Sequence, residues 1–330
     1  MTSMLSFFGR QLFITPKPAD LGSNNLEGQV GLCTGSNTGL GYAASMQLLE
    51  LGLSKLILAV RSQQRGDEAR DKLAALYPRA EIEVSIIDMA SYDSIAAFVK
   101  RCAALPRLDF AILNAGVVKS KYEQNPTTGH EETIQINVLS TALLASLLAP
   151  VLASKASRAP GKITVVGSEV AEWASFKERC RSPILPQFDD AKRFDSTERY
   201  YVSKLLLDYY IIEAAKRLDS SKVILNVANP GLCNGSELHR DVTGAAGRAM
   251  SGFKRLLGRT CEVGARPLVK AAVVEGQASH GKYYSDNAVT HMAPLTRGTT
   301  GQKLGEQVYR EIMSELRAYG AEAAIKNAAV

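Results

Sequence analysis

Apolar residues along the chain fall into two alternating periods. Short aliphatic and β-branched runs read as strands: "QVGLCTG" (29–35), "KLILAVR" (55–61), "EIEVSIID" (81–88), "FAILNAG" (110–116), "KITVVGS" (162–168) and "VILNVANPG" (223–231). "GKYYS" (281–285) reads as a last one. Segments of helical spacing lie between them, starting with "GYAASMQLLELG" (41–52), which Gly52 closes. "GARPLVKAAVVEG" (264–276) and "KLGEQVYREIMSELRAYG" (303–320) are amphipathic and read as helices with core duties. Alternating strands and helices imply βαβ units with right-handed crossovers. The early strands are almost continuously apolar, as a parallel sheet covered on both faces requires. The pattern predicts an α/β chain of Rossmann type, with a doubly wound, mostly parallel seven-stranded sheet in one domain over 28–330. Residues 1–27 form an N-terminal extension.

Two polar, irregular stretches follow strand ends and look like insertions, near 171–199 and 235–262. In open α/β sheets ligands bind outside the carboxyl ends of the strands, so these segments are the natural substrate walls. They contain Trp173, Phe176, Leu185, Phe188, Met250 and Phe253. Such residues suit an apolar pocket for a ring-bearing or lipophilic small molecule, and equally suit packing of the insertions onto the sheet.

Composition narrows the picture. The 330 residues are 46% hydrophobic and 22% charged, as in ordinary globular proteins. The net charge of +6 comes without basic blocks, which favours acidic ligands such as phosphates and argues against nucleic acid. Five cysteines form no CxxC pair, pointing to reduced thiols in a cytoplasmic setting. Four histidines without HxxxH or HExxH spacing predict no metal site. The opening "MLSFFGRQLFI" is too short to span a bilayer, is interrupted by Arg10 and lacks a signal-peptide layout. It is expected to pack on the outside of the domain, with a weak membrane-surface contact as the alternative and no stable insertion. Whether the chain is a monomer or a homo-oligomer is left open.

"TGSNTGLG" (34–41) joins the first strand to the first helix. Gly35 permits a tight turn, Gly39 a close approach to a pyrophosphate and Gly41 close helix–strand packing. The intervening Ser36, Asn37, Thr38 and Leu40 bring backbone amides to the helix start, where an anion is favoured. The spacing is not that of a P-loop. An NAD-specific site would want an acidic residue about twenty positions on. The sequence offers Arg61 instead, with Ser62 as a helper, and a guanidinium suits a 2′-phosphate. The predicted cofactor is therefore NADP (NADPH).

"ERYYVSK" (198–204) places Tyr200 and Tyr201 four and three residues before Lys204, so on a helix either phenol neighbours the ammonium. A free tyrosine, with a pKa of about 10, exchanges protons poorly near neutrality. A nearby positive charge favours the phenolate and is expected to lower that value.

Together, "TGSNTGLG", "LNAG" (113–116), Asn137 in "INVLS", Ser168 in "VVGSE", "YYVSK" (200–204) and "NPG" (229–231) resemble, in order, the motifs of the short-chain dehydrogenase/reductase family. The resemblance spans roughly residues 28–290. The long gap between Ser168 and Tyr200 is similar to the retinol-dehydrogenase branch, and the opening "FFGRQLFITPKP" and the later "GKYYSDNAV" (281–289) to fungal reductases that tailor secondary metabolites. It implies that Tyr200, the four-residue partner of Lys204, is the general acid or base, while Tyr201 packs or lines the pocket. It further implies that Lys204 holds the nicotinamide ribose, Ser168 binds the substrate oxygen and Asn137 anchors a water of the proton relay. Asp88 and Met89 would meet the adenine, Asn114, Ala115 and Gly116 the adenosine ribose, and Pro230, Gly231 and Leu232 the nicotinamide. One departure stands out: Gly235 occupies the place of the family's usual Thr or Ser, with Ser236 one residue away. The implied activity is an NADPH-dependent ketoreductase or alcohol dehydrogenase acting on a lipophilic substrate. Reduction of a conjugated double bond, a non-redox cyclisation or dehydration, and a cofactor-binding regulator without turnover are the alternatives.

Overall fold

The computed structural model describes residues 4–156, 160–239, 241 and 244–329. Seven parallel strands occupy the places the apolar runs predict: β1 Val30–Thr34, β2 Lys55–Val60, β3 Glu81–Ile86, β4 Phe110–Leu113, β5 Gly161–Val166, β6 Val223–Ala228 and β7 Tyr283–Ser285. The sheet has eight strands rather than seven. β8, Ala288–Thr290, returns antiparallel beside β7, giving the order β3-β2-β1-β4-β5-β6-β7-β8. The cause is local. Asp286 and Asn287 both hold positive φ (48° and 72°), as a two-residue hairpin turn demands.

The helices, in chain order, are α1 Met4–Phe13, α2 Gly39–Glu50, α3 Gln63–Leu76, α4 Tyr92–Ala104, α5 Glu132–Lys155, α6 Ser196–Ala215, α7 Gly244–Leu257, α8 Cys261–Val273, α9 Gly298–Glu315 and α10 Ala321–Ala329. Two apolar clusters divide them. α2, α3 and α8 cover one face of the sheet, while α4, α5 and α6 cover the other, with α9 and α10 packed outside them. Leu32 of β1 pairs in register with Ile57 and Ala111 and has no exposed surface.

α5 is long and apolar enough to cross a membrane, yet 83% of its most apolar stretch is buried against protein. Leu143, Leu144 and Leu148 are wholly covered, and each such burial contributes about 1.5–3 kcal/mol. It is a core helix. Its turn Gln135–Ser140 is π-helical, a distortion often found beside functional sites.

The insertion near 171–199 folds into short 3₁₀ turns as far as Arg193 and enters α6 at Ser196, while the stretch near 235–262, expected to be irregular, is built around the helix α7. α1 packs on the outside of the sheet domain at the carboxyl ends of the strands, where Phe7 and Phe8 border a cavity.

Candidate active site

The site begins where β1 runs out. The chain turns at Gly35 (φ 64°) and enters α2 at Gly39 (φ 58°). A Cβ at Gly41 would lie 2.4 Å from the Gly35 carbonyl oxygen and 2.7 Å from Asn114 Nδ2, so only glycine fits. The Thr34 hydroxyl accepts from the backbone amides of Asn114 and Ala115, both at 2.9 Å. Asn114 Nδ2 donates to the carbonyls of Thr34 (2.9 Å) and Gly35 (3.2 Å). Thr34 thus stitches the loop after β4 to the glycine loop, a task its place inside the motif did not reveal. Ser36 is wholly buried and donates to the Cys33 carbonyl at 2.9 Å, so Ser36 and Gly41 shape the turn without lining the cavity.

The cavity over this loop measures about 580 Å³. Asn37, Thr38, Gly39 and Leu40 form its floor, and Asp88, Met89, Asn114, Ala115 and Gly116 one wall. Asp88 Oδ1 accepts from the Ala90 amide at 3.0 Å, which fixes the carboxylate. Arg61 stands exposed at the rim. Ser62 is engaged as the N-cap of α3, accepting from the Arg65 amide at 3.4 Å. Arg65 also lines the cavity and pairs with Glu237 at 2.6 Å. It lies in the same "AVRSQQR" as Arg61, and one helical turn of spacing was the available signal.

Ser168 follows β5, and α6 brings Tyr200 and Lys204 to the same cavity. Asp195 caps α6 by accepting from the Glu198 amide at 2.8 Å. Burial pushes the Tyr200 phenol up to about 12, and a hydrogen bond with Ser168 opposes that rise. Burial pulls Lys204 down to about 8. The expectation that the lysine lowers the pKa of the phenol is overturned here. Lys204 Nζ donates to the Val166 carbonyl at 2.9 Å and lies 5.8 Å from the centre of the Tyr200 ring. Desolvation therefore dominates both groups. One turn further along α6, buried Asp208 is pushed up to about 8 by desolvation, with its bond from the Ala293 amide and the Lys204 charge acting the other way.

Asn137 lies in the π-helical turn and is 1% exposed. Its Oδ1 accepts from the Val117 amide at 2.9 Å, while Nδ2 donates to the Val117 carbonyl (2.9 Å) and to Ser203 Oγ (3.1 Å). The side chain latches the segment after Gly116 to α6 and does not line the cavity. Tyr201 does line it, whereas Tyr209 and Tyr210 are buried in the core, donating to the carbonyls of Leu295 and Ala142.

Pro230, Gly231 and Leu232 close the far side. Gly231 has φ 73°, and a Cβ there would lie 2.7 Å from both Arg259 Nη1 and Gln11 Oε1. Gln11, in α1, holds this loop from outside. Its Nε2 donates to the carbonyls of Leu232 (2.9 Å) and Leu257 (3.1 Å), and its Oε1 accepts from the Leu232 amide (3.1 Å). Arg259 donates to the carbonyls of Pro230, Arg10 and Ile14 and pairs with Asp286 at 2.9 Å. Nothing in the local pattern around Gln11 or Arg259 announces these bonds. At the doubtful position after the proline, Ser236 lines the cavity and Gly235 does not.

The insertion residues divide. Trp173 and Phe253 face the cavity, while Phe176, Leu185 and Phe188 are buried in the core cluster; the Met250 side chain lies outside the described residues. Phe7 and Phe8 of α1 join the cavity wall unforeseen.

The short chain dehydrogenase family profile matches residues 29–178. The short-chain dehydrogenase fogG of Aspergillus ruber is 42% identical over 326 residues, covering 96% of this chain and 93% of that protein. The short chain dehydrogenase/reductase mfmJ of Annulohypoxylon moriforme is 42% identical over 319 residues, covering 95% and 93%. Among solved structures, salutaridine reductase from Papaver somniferum superposes with a TM-score of 0.60 at 18% identity, over 78% of this chain and 99% of that one. A short chain dehydrogenase from Escherichia coli, complexed with NADPH, gives 0.57 at 18%, over 80% and 99%.

Proposed function

Because the chain belongs to the short-chain dehydrogenase/reductase family of oxidoreductases, we propose that it uses NADP(H) to interconvert a carbonyl and a carbinol on a lipophilic small molecule, in fungal secondary metabolism. One observation carries the reading. Ser168, Tyr200 and Lys204 converge on the cavity whose floor is the glycine loop and whose rim carries Arg61.

The residues fit a dinucleotide. Gly39, at φ 58°, brings bare backbone to the cavity floor, and the Thr38 hydroxyl does not cap α2, leaving the first-turn amides at the cavity wall. Such amides suit a pyrophosphate. Arg61 would hold a 2′-phosphate, Asp88 and Met89 the adenine, Asn114, Ala115 and Gly116 its ribose, and Pro230, Gly231 and Leu232 the nicotinamide. The bound cofactor supplies the hydride.

The chain's own groups manage the proton. With its pKa near 12, Tyr200 is a protonated phenol at neutrality and stands ready to donate to a carbonyl oxygen. Before substrate arrives the Ser168 hydroxyl bonds the Tyr200 oxygen; turned instead to a bound carbonyl, its single hydrogen becomes the second donor to the same substrate atom. Lys204, near 8, exchanges protons readily at physiological pH and sits behind the phenol. Asn137 keeps the wall beside it in place.

A mass-spectrometric screen of ketones and carbinols with NADPH and NADP tests the proposal, with Tyr200→Phe as the control. The expected result is a product shifted by two hydrogens, formed about 10²–10⁴-fold more slowly by the variant, while NADPH affinity changes little. Full activity in Tyr200→Phe, or products that differ only by loss of water, would overturn it.

A further inference from the structure

Five aromatic side chains form a continuous chain along one side of the cavity. Tyr201 meets Trp173 at 5.8 Å between ring centres, Trp173 meets Phe7 at 5.2 Å, Phe7 meets Phe8 at 5.1 Å and Phe8 meets Phe253 at 6.0 Å. Every contact is edge-to-face, with interplanar angles of 75°, 85°, 70° and 86°. The five residues come from α6, the 3₁₀ turn Glu169–Trp173, α1 and α7, and all of them border the cavity. The chain starts next to Tyr200 and ends at the outer helix α7.

Core packing alone does not account for this row: Phe7 is buried, but Phe8, Trp173 and Tyr201 are half-buried and Phe253 is exposed, all of them on the cavity. Phe176 and Phe188, stacked at 6.4 Å, are fully buried and lie away from the cavity, as rings that serve only packing do. The cavity rings are held in place from behind instead. α1 is pinned by Gln11 to Leu232 and Leu257, by the Arg259 guanidinium donating to the carbonyls of Arg10 and of Ile14 just beyond the helix, and by the ion pairs of Arg10 with Glu169 and Asp286. A wall of rings fixed this way presents alternating electropositive edges and electronegative faces, and loses little freedom when a ligand arrives.

We infer that α1 is the substrate-recognition wall of this site and that the substrate carries an aromatic ring system beside its reacting carbonyl or carbinol. The inference rests on the carbonyl–carbinol reading for the reacting group and adds the class of scaffold. A saturated ring of the same outline would bury similar area against the wall but lacks the quadrupole that edge-to-face contacts use. Phe7 and Phe8 supply the selectivity, and Trp173, the only tryptophan in the chain, marks the middle of the row.

Isothermal titration of 2-naphthylmethanol and of its decahydro counterpart into the full chain tests this, with Trp173 emission reporting whether the ligand reaches the wall. The aromatic carbinol is expected to bind about tenfold more tightly, and to shift the Trp173 emission. Phe7→Leu/Phe8→Leu, which keeps apolar bulk and removes both rings, should reduce that ratio to about twofold with NADPH affinity unchanged. Equal affinities in the parent protein overturn the inference, as does absence of binding by both compounds. So does a double variant that keeps its selectivity, or one that loses NADPH affinity in step, since α1 would then serve structure alone. Selective binding of the aromatic carbinol without any oxidation of carbinols by NADP would instead remove the carbonyl–carbinol reading and leave the aromatic wall standing.

Discussion

At the scale of single residues, position within the solvent-free interior governs the chemistry more than pairwise attraction does. Tyr200 and Lys204 are displaced towards their neutral forms because both are buried, although they share a helix face. His130 shows the opposite balance. Burial pulls its pKa down, but Asp189 at 3.0 Å on Nδ1 and Glu315 at 3.2 Å on Nε2 more than offset this and raise it to about 9. A folded-state value above the unfolded 6.5 means stabilisation that is complete below about pH 6.5 and is lost as pH rises through about 9. His130→Gln should therefore lower stability by about 1.5–3 kcal/mol at pH 6, with the gap to the parent closing by pH 10. Thermal melts at the two pH values check this, and a gap that stays constant would show that the imidazole charge contributes nothing. The main catalytic candidates were legible because their chemistry is written in short spacings: four residues from Tyr200 to Lys204, and glycines two apart at Gly39 and Gly41. Thr34 and Arg65 were not, since their roles depend on strands and loops brought together only by the fold.

At the scale of elements, apolar runs located seven strands because strands buried on both faces need nearly continuous aliphatic sequence. β8 was overlooked because an edge strand of three residues carries no such run; its signal was the Asp286–Asn287 turn. The insertions could not be apportioned from composition, since Phe188 in the core and Phe253 at the cavity are the same residue type. α1 was read as an outer segment because its ties reach residues 221 and more positions away, beyond any local pattern. Gln11→Ala would remove three bonds, to the Leu232 and Leu257 carbonyls and from the Leu232 amide, each contributing about 0.5–1.5 kcal/mol, with the Leu232 carbonyl keeping the Arg259 amide at 2.9 Å. We expect NADPH affinity to fall by roughly tenfold through the loosened Leu232 loop, an effect of about 1.4 kcal/mol. A cofactor fluorescence titration measures it, and an unchanged dissociation constant would detach α1 from the cofactor side of the site.

At the scale of the whole molecule, a ligand that binds only the folded chain raises its stability by mass action, about 2.7 kcal/mol at one hundred times its dissociation constant. With Arg61 at the rim and no acidic residue in its place, NADPH should raise the melting temperature by several degrees more than equimolar NADH. Equal shifts would remove the role given to Arg61. The sheet order also sets when the site can exist. Gln11 is made early, whereas its partners Leu232 and Leu257 follow 221 and 246 residues later. At cellular rates of translation that interval is roughly 10–50 s. Trp173 and Glu169 arrive earlier to meet Phe7 and Arg10, but the wall stays incomplete until Phe253 meets Phe8 near the end of that interval. The nascent chain thus carries its substrate wall as a partly uncovered sticky segment, a target for chaperones until the last third of the protein has left the ribosome.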